Sequence, residues 1–177
     1  YVWIRFNQFR YSLAAILATL HDCVVAVGFI ALSGYVVKFA PGLAQTLGLL
    51  DFKIDLNVIA AVLTILGYSL NDTIVIMDRI RENRGKLPFA TASIVNRSIN
   101  ETLGRTFITS GLTIIATAVL YVVGGEAIRA FAFCFLVGVV TGTYSSVAVA
   151  APIVWSRRLE NEHARPSSAS SAIASRP

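Results

Sequence analysis

The chain has 177 residues, of which 55% are hydrophobic and 14% charged, with a net charge of +5. A soluble domain carries about 25% charged residues, so this composition excludes an ordinary soluble enzyme or scaffold and indicates an all-α, polytopic membrane helix bundle. The basic balance does not point to nucleic acid, because the lysines and arginines sit at the ends of apolar segments, where membrane orientation accounts for them. Cys23 and Cys134 both fall inside apolar runs and read as small packing residues rather than a disulfide.

In chain order, Tyr1–Phe6 is too short to span a bilayer and reads as the inner end of a helix that begins before Tyr1. Residues 1–11 are thus expected to be the end of a truncated helix and a short loop bracketed by Arg5 and Arg10. Residues 12–155 form a four-helix transmembrane domain, with spans at about 12–37, 54–77, 103–123 and 129–155. Each meets the roughly 20 apolar residues needed to cross. Pro41 and Gly42 open a loop that reaches Lys53. Residues 78–102 are polar and basic, with breakers at Gly85 and Pro88, and read as a loop carrying a short interfacial helix over 91–102. Gly124-Gly125 makes a tight turn. The Ser/Ala/Arg/Pro tail, 156–177, has no periodicity and is expected to be disordered.

The charges orient the bundle. If the spans alternate, Arg5, Arg10, Arg79, Arg81, Arg84, Lys86, Arg97, Arg105, Arg157, Arg158, Arg165 and Arg176 share one side, and only Lys38, Lys53 and Arg129 fall on the other. By the positive-inside rule the first side is cytoplasmic, which puts the 78–102 segment and the C-terminal tail inside.

One carboxylate stands out. Asp72 lies near the inner end of the second complete span, and an acid at the centre of a spanning helix costs about 2.5–3.5 kcal/mol to insert. Asn57, Thr64, Tyr68, Asp72 and Arg79 recur at helical spacing and form a polar stripe expected to face other helices or a wet cavity. Asn71 and Thr73 flank the acid. The third span has a stripe of its own: Thr102, Thr106, Thr109, Thr113 and Thr117, with Arg105 one turn before Thr109. A neighbouring cation favours an ionised carboxylate and desolvation disfavours it, so motion of Arg105 relative to Asp72 would switch proton binding. The competing readings are a fixed ion pair for Asp72, an arginine that snorkels to the interface for Arg105, and helix-packing hydroxyls for the threonines. His21-Asp22, in the first complete span, is a second candidate for the proton pathway; adjacent residues point to different helix faces, so His21 also reads as a packing residue. Gly138 and Gly142 form a G-x-x-x-G pair that permits close helix contact, as do Ala14 and Ala18.

No phosphate-binding glycine loop, Cys/His cluster with metal-ligand spacing or Ser/His/Asp set occurs in the sequence. No enzyme activity and no cofactor is expected, and energy must come from an ion gradient or a partner.

Gly67-Tyr68-Ser69-Leu70-Asn71-Asp72-Thr73, followed by Asp78-Arg79-Ile80-Arg81-Glu82-Asn83, resembles the signature of the SecF family of protein-export membrane subunits. His21-Asp22, Asn100-Glu101-Thr102-Leu103-Gly104-Arg105-Thr106, Gly124-Gly125-Glu126 and Gly142-Thr143-Tyr144-Ser145-Ser146 follow in the family's order. The resemblance implies half of a resistance-nodulation-division-type membrane unit, of which the complete spans would be the third to sixth helices. It implies a bacterial inner-membrane subunit that works with SecD to promote export of unfolded proteins through SecYEG, driven by proton or sodium flow. YajC and YidC are further candidate partners. Carried over by motif, Asp72 matches the ion-pathway aspartate and Arg105 the functional arginine. The alternatives are an ion-coupled half-transporter of the same superfamily that exports small molecules or lipids, and a purely structural translocon-assembly module.

Overall fold

The computed structural model describes residues 9–87 and 90–155. The expectations for residues 1–8, Pro88 and the tail from 156 onward lie outside the described residues. Six helices follow one another: α1 (Phe9–Phe39), α2 (Pro41–Leu47), α3 (Leu56–Arg84), α4 (Ala92–Val123), α5 (Gly125–Ser145) and, after a π turn at Ser146–Ala150, α6 (Ala151–Val154). Among the described residues four stretches are long and apolar enough to cross a membrane: Tyr11–Phe39, Leu56–Arg84, Ala92–Val123 and Gly125–Val154. At 1.5 Å per residue the 31 residues of α1 extend about 46 Å, more than the ~30 Å hydrocarbon core.

Local chemistry sets the boundaries. Pro41 occupies the first turn of α2, and Gly48 ends that helix at φ 64°. Asp55 caps α3 by accepting the Val58 N–H at 3.0 Å, and Gly85 ends it at φ 56°. Thr91 caps α4 through the Ile94 N–H. Gly124 and Gly125 reverse the chain between α4 and α5, with Gly125 at φ 70°, a conformation that suits glycine.

The 78–102 segment differs from expectation. It is not a loop with a separate interfacial helix: α3 continues to Arg84 and α4 begins at Ala92 and runs unbroken to Val123. Side-chain ion pairs account for this. Arg79 bonds Glu82 and Glu101, each at 2.6 Å, Arg97 bonds Glu101 at 2.8 Å, and Asn83 reaches both Glu101 and Ser98. Pairs at i,i+3 and i,i+4 support a polar helix end, and Glu101 also ties the two helices together.

The helices run up and down. The arginine-rich end holds one apolar cluster, in which Tyr11 and Ala14 of α1, Ile80 of α3, Val95 of α4 and Val154 of α6 are buried. The far end holds another, with Ile30 of α1, Phe52 of the segment before α3, Val58 and Ile65 of α3, and Cys134 of α5. The predicted small-residue contacts are present. A Cβ on Gly138 would fall 2.3 Å from Ile65, and one on Gly142 would fall 3.3 Å from the Ser69 Cβ, so α3 and α5 touch nearly backbone to backbone. Ala14 and Ala18 are fully buried. Both cysteines are free. Large apolar side chains along α4, among them Phe107, Ile108, Leu112 and Ile115, point outward, as lipid-facing positions do.

The Asp55 cap yields a prediction. Its hydrogen bond from the Val58 N–H holds the Asp55 carboxyl below the ordinary carboxylate value. A depressed folded-state pKa gives stability that is present above the unfolded pKa and lost as pH falls through the folded one. The first turn of α3 is therefore expected to fray on acidification below the ordinary carboxylate range, seen as faster amide exchange at Val58. Asp55→Asn keeps a capping oxygen and should remove the pH dependence. Equal acid sensitivity in the two proteins would contradict this.

Candidate functional site

Between the two apolar clusters lies a polar layer, built from the facing sides of α1, α3, α4 and α5. It contains two buried carboxylates, one on each side of the close α3–α5 contact.

Asp22 points from α1 into the bundle and is 0% exposed. Its Oδ2 accepts the hydroxyls of Ser69 on α3 at 2.5 Å and Ser145 on α5 at 2.8 Å. Its Oδ1 lies 3.2 Å from Nδ1 of His21, whose side chain is 41% exposed. Thus the adjacent pair does interact, because the imidazole is long enough to reach back to the neighbouring carboxylate. Gly142 makes room for this arrangement: a Cβ there would sit 3.5 Å from Asp22 Oδ2. One carboxylate therefore joins three helices.

Asp72, on α3, is 4% exposed. Its Oδ2 lies 3.4 Å from the Ser110 hydroxyl of α4. The Ser110 oxygen in turn accepts from Tyr68 at 3.1 Å and from Thr143 of α5 at 2.7 Å. A hydroxyl has one proton to donate and two lone pairs, so Ser110 can serve all three neighbours at once. Asp72 is held less firmly than Asp22, by one long hydrogen bond instead of two short ones. Interhelical hydroxyl bonds in membranes average about 0.6 kcal/mol, well short of the ~2.5–3.5 kcal/mol insertion cost of a central acid.

Arg105 makes no ion pair with Asp72 among the described residues, but it lies close enough to act on that carboxylate electrostatically. Its side chain lines a polar cleft of about 350 Å³ that opens at the arginine-rich end between α3 and α4, bordered by Val75, Asp78, Arg79, Glu101 and Thr102.

The other predicted positions divide. Tyr68 joins the network, and its ring packs edge-on against Phe135 at 6.1 Å. Thr73 is fully buried beside Asp72, and its hydroxyl has no hydrogen-bond partner among the described residues. The rest of the stripe does not line the interior. Thr64 is exposed and returns its hydroxyl to Ala60 O at 2.7 Å. Asn57 is exposed and reaches Ala127 O at 3.1 Å, and Asn71 is exposed too. Arg79 belongs to the Glu101 cluster. Thr109 is exposed and bonds only its own helix, at the carbonyls of Arg105 and Thr106. Thr102, Thr113 and Thr117 do the same, so the threonine stripe of α4 is not a continuous relay. Sequence reasoning did not single out Ser69, Ser110 or Thr143. Ser69, one turn before Asp72, and Thr143, next to the Gly142 contact, lie inside the motifs quoted above, whereas Ser110 carried no signal.

The architecture defines a multi-pass, all-α membrane protein with an acid and hydroxyl layer at its centre. Residues 1–160 match the profile of the family described as protein export membrane protein SecD/SecF, C-terminal. The chain belongs to that family. Protein translocase subunit SecF of Desulfurispirillum indicum is 45% identical over 169 residues, which cover 92% of this chain and 48% of that protein. The crystal structure of SecDF in its super-membrane-facing form matches with a TM-score of 0.70 and 40% identity, over 92% of this chain and 20% of that one. SecDF of Thermus thermophilus, described as a translocon-associated membrane protein, matches with a TM-score of 0.66 and 42% identity, over 87% of this chain and 19% of that one. The chain spans about half the length or less of these relatives.

Proposed function

We propose that this chain is the working membrane portion of a SecF-type subunit in a bacterial inner membrane. Together with SecD it uses the proton motive force, or a sodium gradient, to promote protein export through SecYEG. YajC and YidC are further candidate partners. Its part is energy coupling without reaction chemistry of its own, and the arginine-rich end with the C-terminal tail is cytoplasmic.

The observation that carries this reading is Asp72: a loosely held carboxylate, buried mid-bundle, beside a polar cleft that contains Arg105. Protons reach the neighbourhood of Asp72 through the cleft from the cytoplasmic side. Tyr68, one turn toward the far end of α3, and Ser110 hold the carboxylate between two protonation states. When Arg105 approaches, the ionised form is favoured, and when it withdraws into the cleft the protonated form is favoured. Each state favours a different packing of α3 against α4, which is how ion flow becomes motion. His21 and Asp22, on α1, are a second candidate for proton movement.

Late-stage export of a secreted protein tests this reading, measured in vesicles that hold SecYEG and the full-length parent protein with SecD. Export should rise when a proton gradient is imposed, or a sodium gradient if that is the coupling ion. A rate that ignores both gradients would sink it. Arg105→Gln should reduce the response, whereas an arginine that merely anchors the helix end would be replaceable by any polar residue.

A further inference from the structure

Asp22 has features that the Asp72 pathway does not use. Its carboxylate joins α1, α3 and α5 by side-chain hydrogen bonds. The α5 partner, Ser145, is the last residue before the π turn at Ser146–Ala150. Such turns interrupt the regular hydrogen-bond ladder and recur at functional sites and bends. Ala150 at the end of the turn, and Ala151 and Val154 beyond it, pack in the same cluster as Tyr11, Ala14 and Ala18 of α1. The clasp therefore sits where α5 changes its winding and where α1 holds its final segment.

Asp22 also has a route to solvent. His21 is part-exposed, with Nδ1 3.2 Å from Asp22 Oδ1 on the side opposite the two serine hydroxyls. The ionisable groups around Asp22 are few. On α1 they are His21 and Cys23. On α3 they are Tyr68, next to Ser69, and Asp72, one turn beyond it, and on α5 Tyr144 adjoins Ser145. The charged residues of α5, Glu126 and Arg129, lie near its opposite end. An imidazole can both accept and donate a proton, which suits proton delivery.

We propose that the His21–Asp22 pair is a second proton-binding site, separate from Asp72, whose loading loosens the grip of α1 on the hinge of α5. This rests on the proton-coupled reading above. In the loading step an imidazolium N–H bond at His21 Nδ1 breaks and an O–H bond forms at Asp22 Oδ1. His21 is left as the neutral Nε2–H tautomer, and its bare Nδ1 regains a proton from water when the part-exposed ring turns toward solvent. Oδ2 then accepts the Ser69 and Ser145 hydroxyls as a neutral carbonyl oxygen, and hydrogen bonds to a neutral acceptor are about half as strong as those to a charged one. The weakened clasp frees the π turn and α6 to repack against α1.

Infrared difference spectroscopy on the full-length parent protein with SecD, in lipid nanodiscs, tests this with the proton itself as ligand. Lowering the pH should reveal the C=O band of protonated carboxyls. One component should vanish in Asp72→Asn; its absence from the wild type would contradict the earlier reading and leave this one to be judged on its own. In the Asp72→Asn background a second component should persist and should vanish when Asp22→Asn is added. If Asp72→Asn retains no component that Asp22→Asn removes, Asp22 is a fixed acceptor and the proposal is overturned. Ser145→Ala keeps the carboxylate and should shift that component by removing one of its hydrogen bonds; an unshifted band would overturn the clasp. His21→Gln should slow the appearance of the band about a hundredfold, and an unchanged rate would overturn the loading route.

Discussion

Replacing Asp72 with asparagine in the full-length parent protein is expected to abolish the gradient-dependent part of export and to leave the gradient-independent part and membrane assembly intact. The two effects separate because Asn and Asp have nearly the same shape. The Ser110 hydroxyl, 3.4 Å from Asp72 Oδ2, still finds an acceptor oxygen, and the Tyr68 and Thr143 bonds to Ser110 do not involve the carboxylate. What disappears is the ability to exchange a proton and to respond to Arg105. Since the insertion cost of an acid at this depth is several times the worth of its one long hydroxyl bond, losing the charge should not destabilise the bundle. A mutant that assembles normally and still responds fully to the gradient would make Asp72 a structural residue. A mutant that fails to assemble would instead favour the module that only builds the translocon.

The second large effect is on packing. Gly138→Ala puts a Cβ 2.3 Å from Cδ1 and Cγ1 of Ile65 and 3.0 Å from its Cγ2. With all three Ile65 atoms this close, a rotation of the side chain relieves one clash by sharpening another, so α3 and α5 must separate. Overpacking of a close-packed core costs about 1–3 kcal/mol, and Gly138→Ala should lower stability by that amount in thermal or denaturant unfolding of the purified protein. Ile65→Ala in the same chain empties the space the new methyl needs and should restore part of the loss, a coupling that a double-mutant cycle reads directly. Gly142→Ala should be milder, because its nearest neighbour would be the Ser69 Cβ at 3.3 Å. Its cost should fall instead on the hydroxyl clasp at Asp22. Equal and small effects from both substitutions would mean that α3 and α5 are not in backbone-close contact.

The four spans were legible in the sequence because runs of about 20 apolar residues have few other uses, and the glycine turn at 124–125 was legible for its chain reversal. The ends were not. Residues 78–84 are polar enough to read as loop and 91–102 as a separate interfacial helix, yet Arg79, Glu82, Arg97 and Glu101 satisfy one another along and between helices, and hydropathy does not register that. Asp72 stood out because an isolated acid in a span is costly. The stripe drawn through it was only partly right: helical spacing places Thr64 near the same face, but the interior face runs through Ile65, Ser69, Asp72, Thr73 and Ile76, a rotation fixed by which neighbours pack where. The partners of Asp22 come from 47 and 123 residues further along the chain. Serines are common in spanning helices as packing residues, so only their convergence in three dimensions distinguishes these two.

Proton flux tests the central claim most directly. The full-length parent protein with SecD is placed in sealed liposomes containing a pH-sensitive dye, a proton gradient is imposed, and wild type is compared with Asp72→Asn at equal protein content. The account predicts dissipation of the gradient by the wild type and a rate no greater than that of protein-free liposomes for the mutant. Equal flux through both proteins would contradict it, because protons would then be crossing without Asp72.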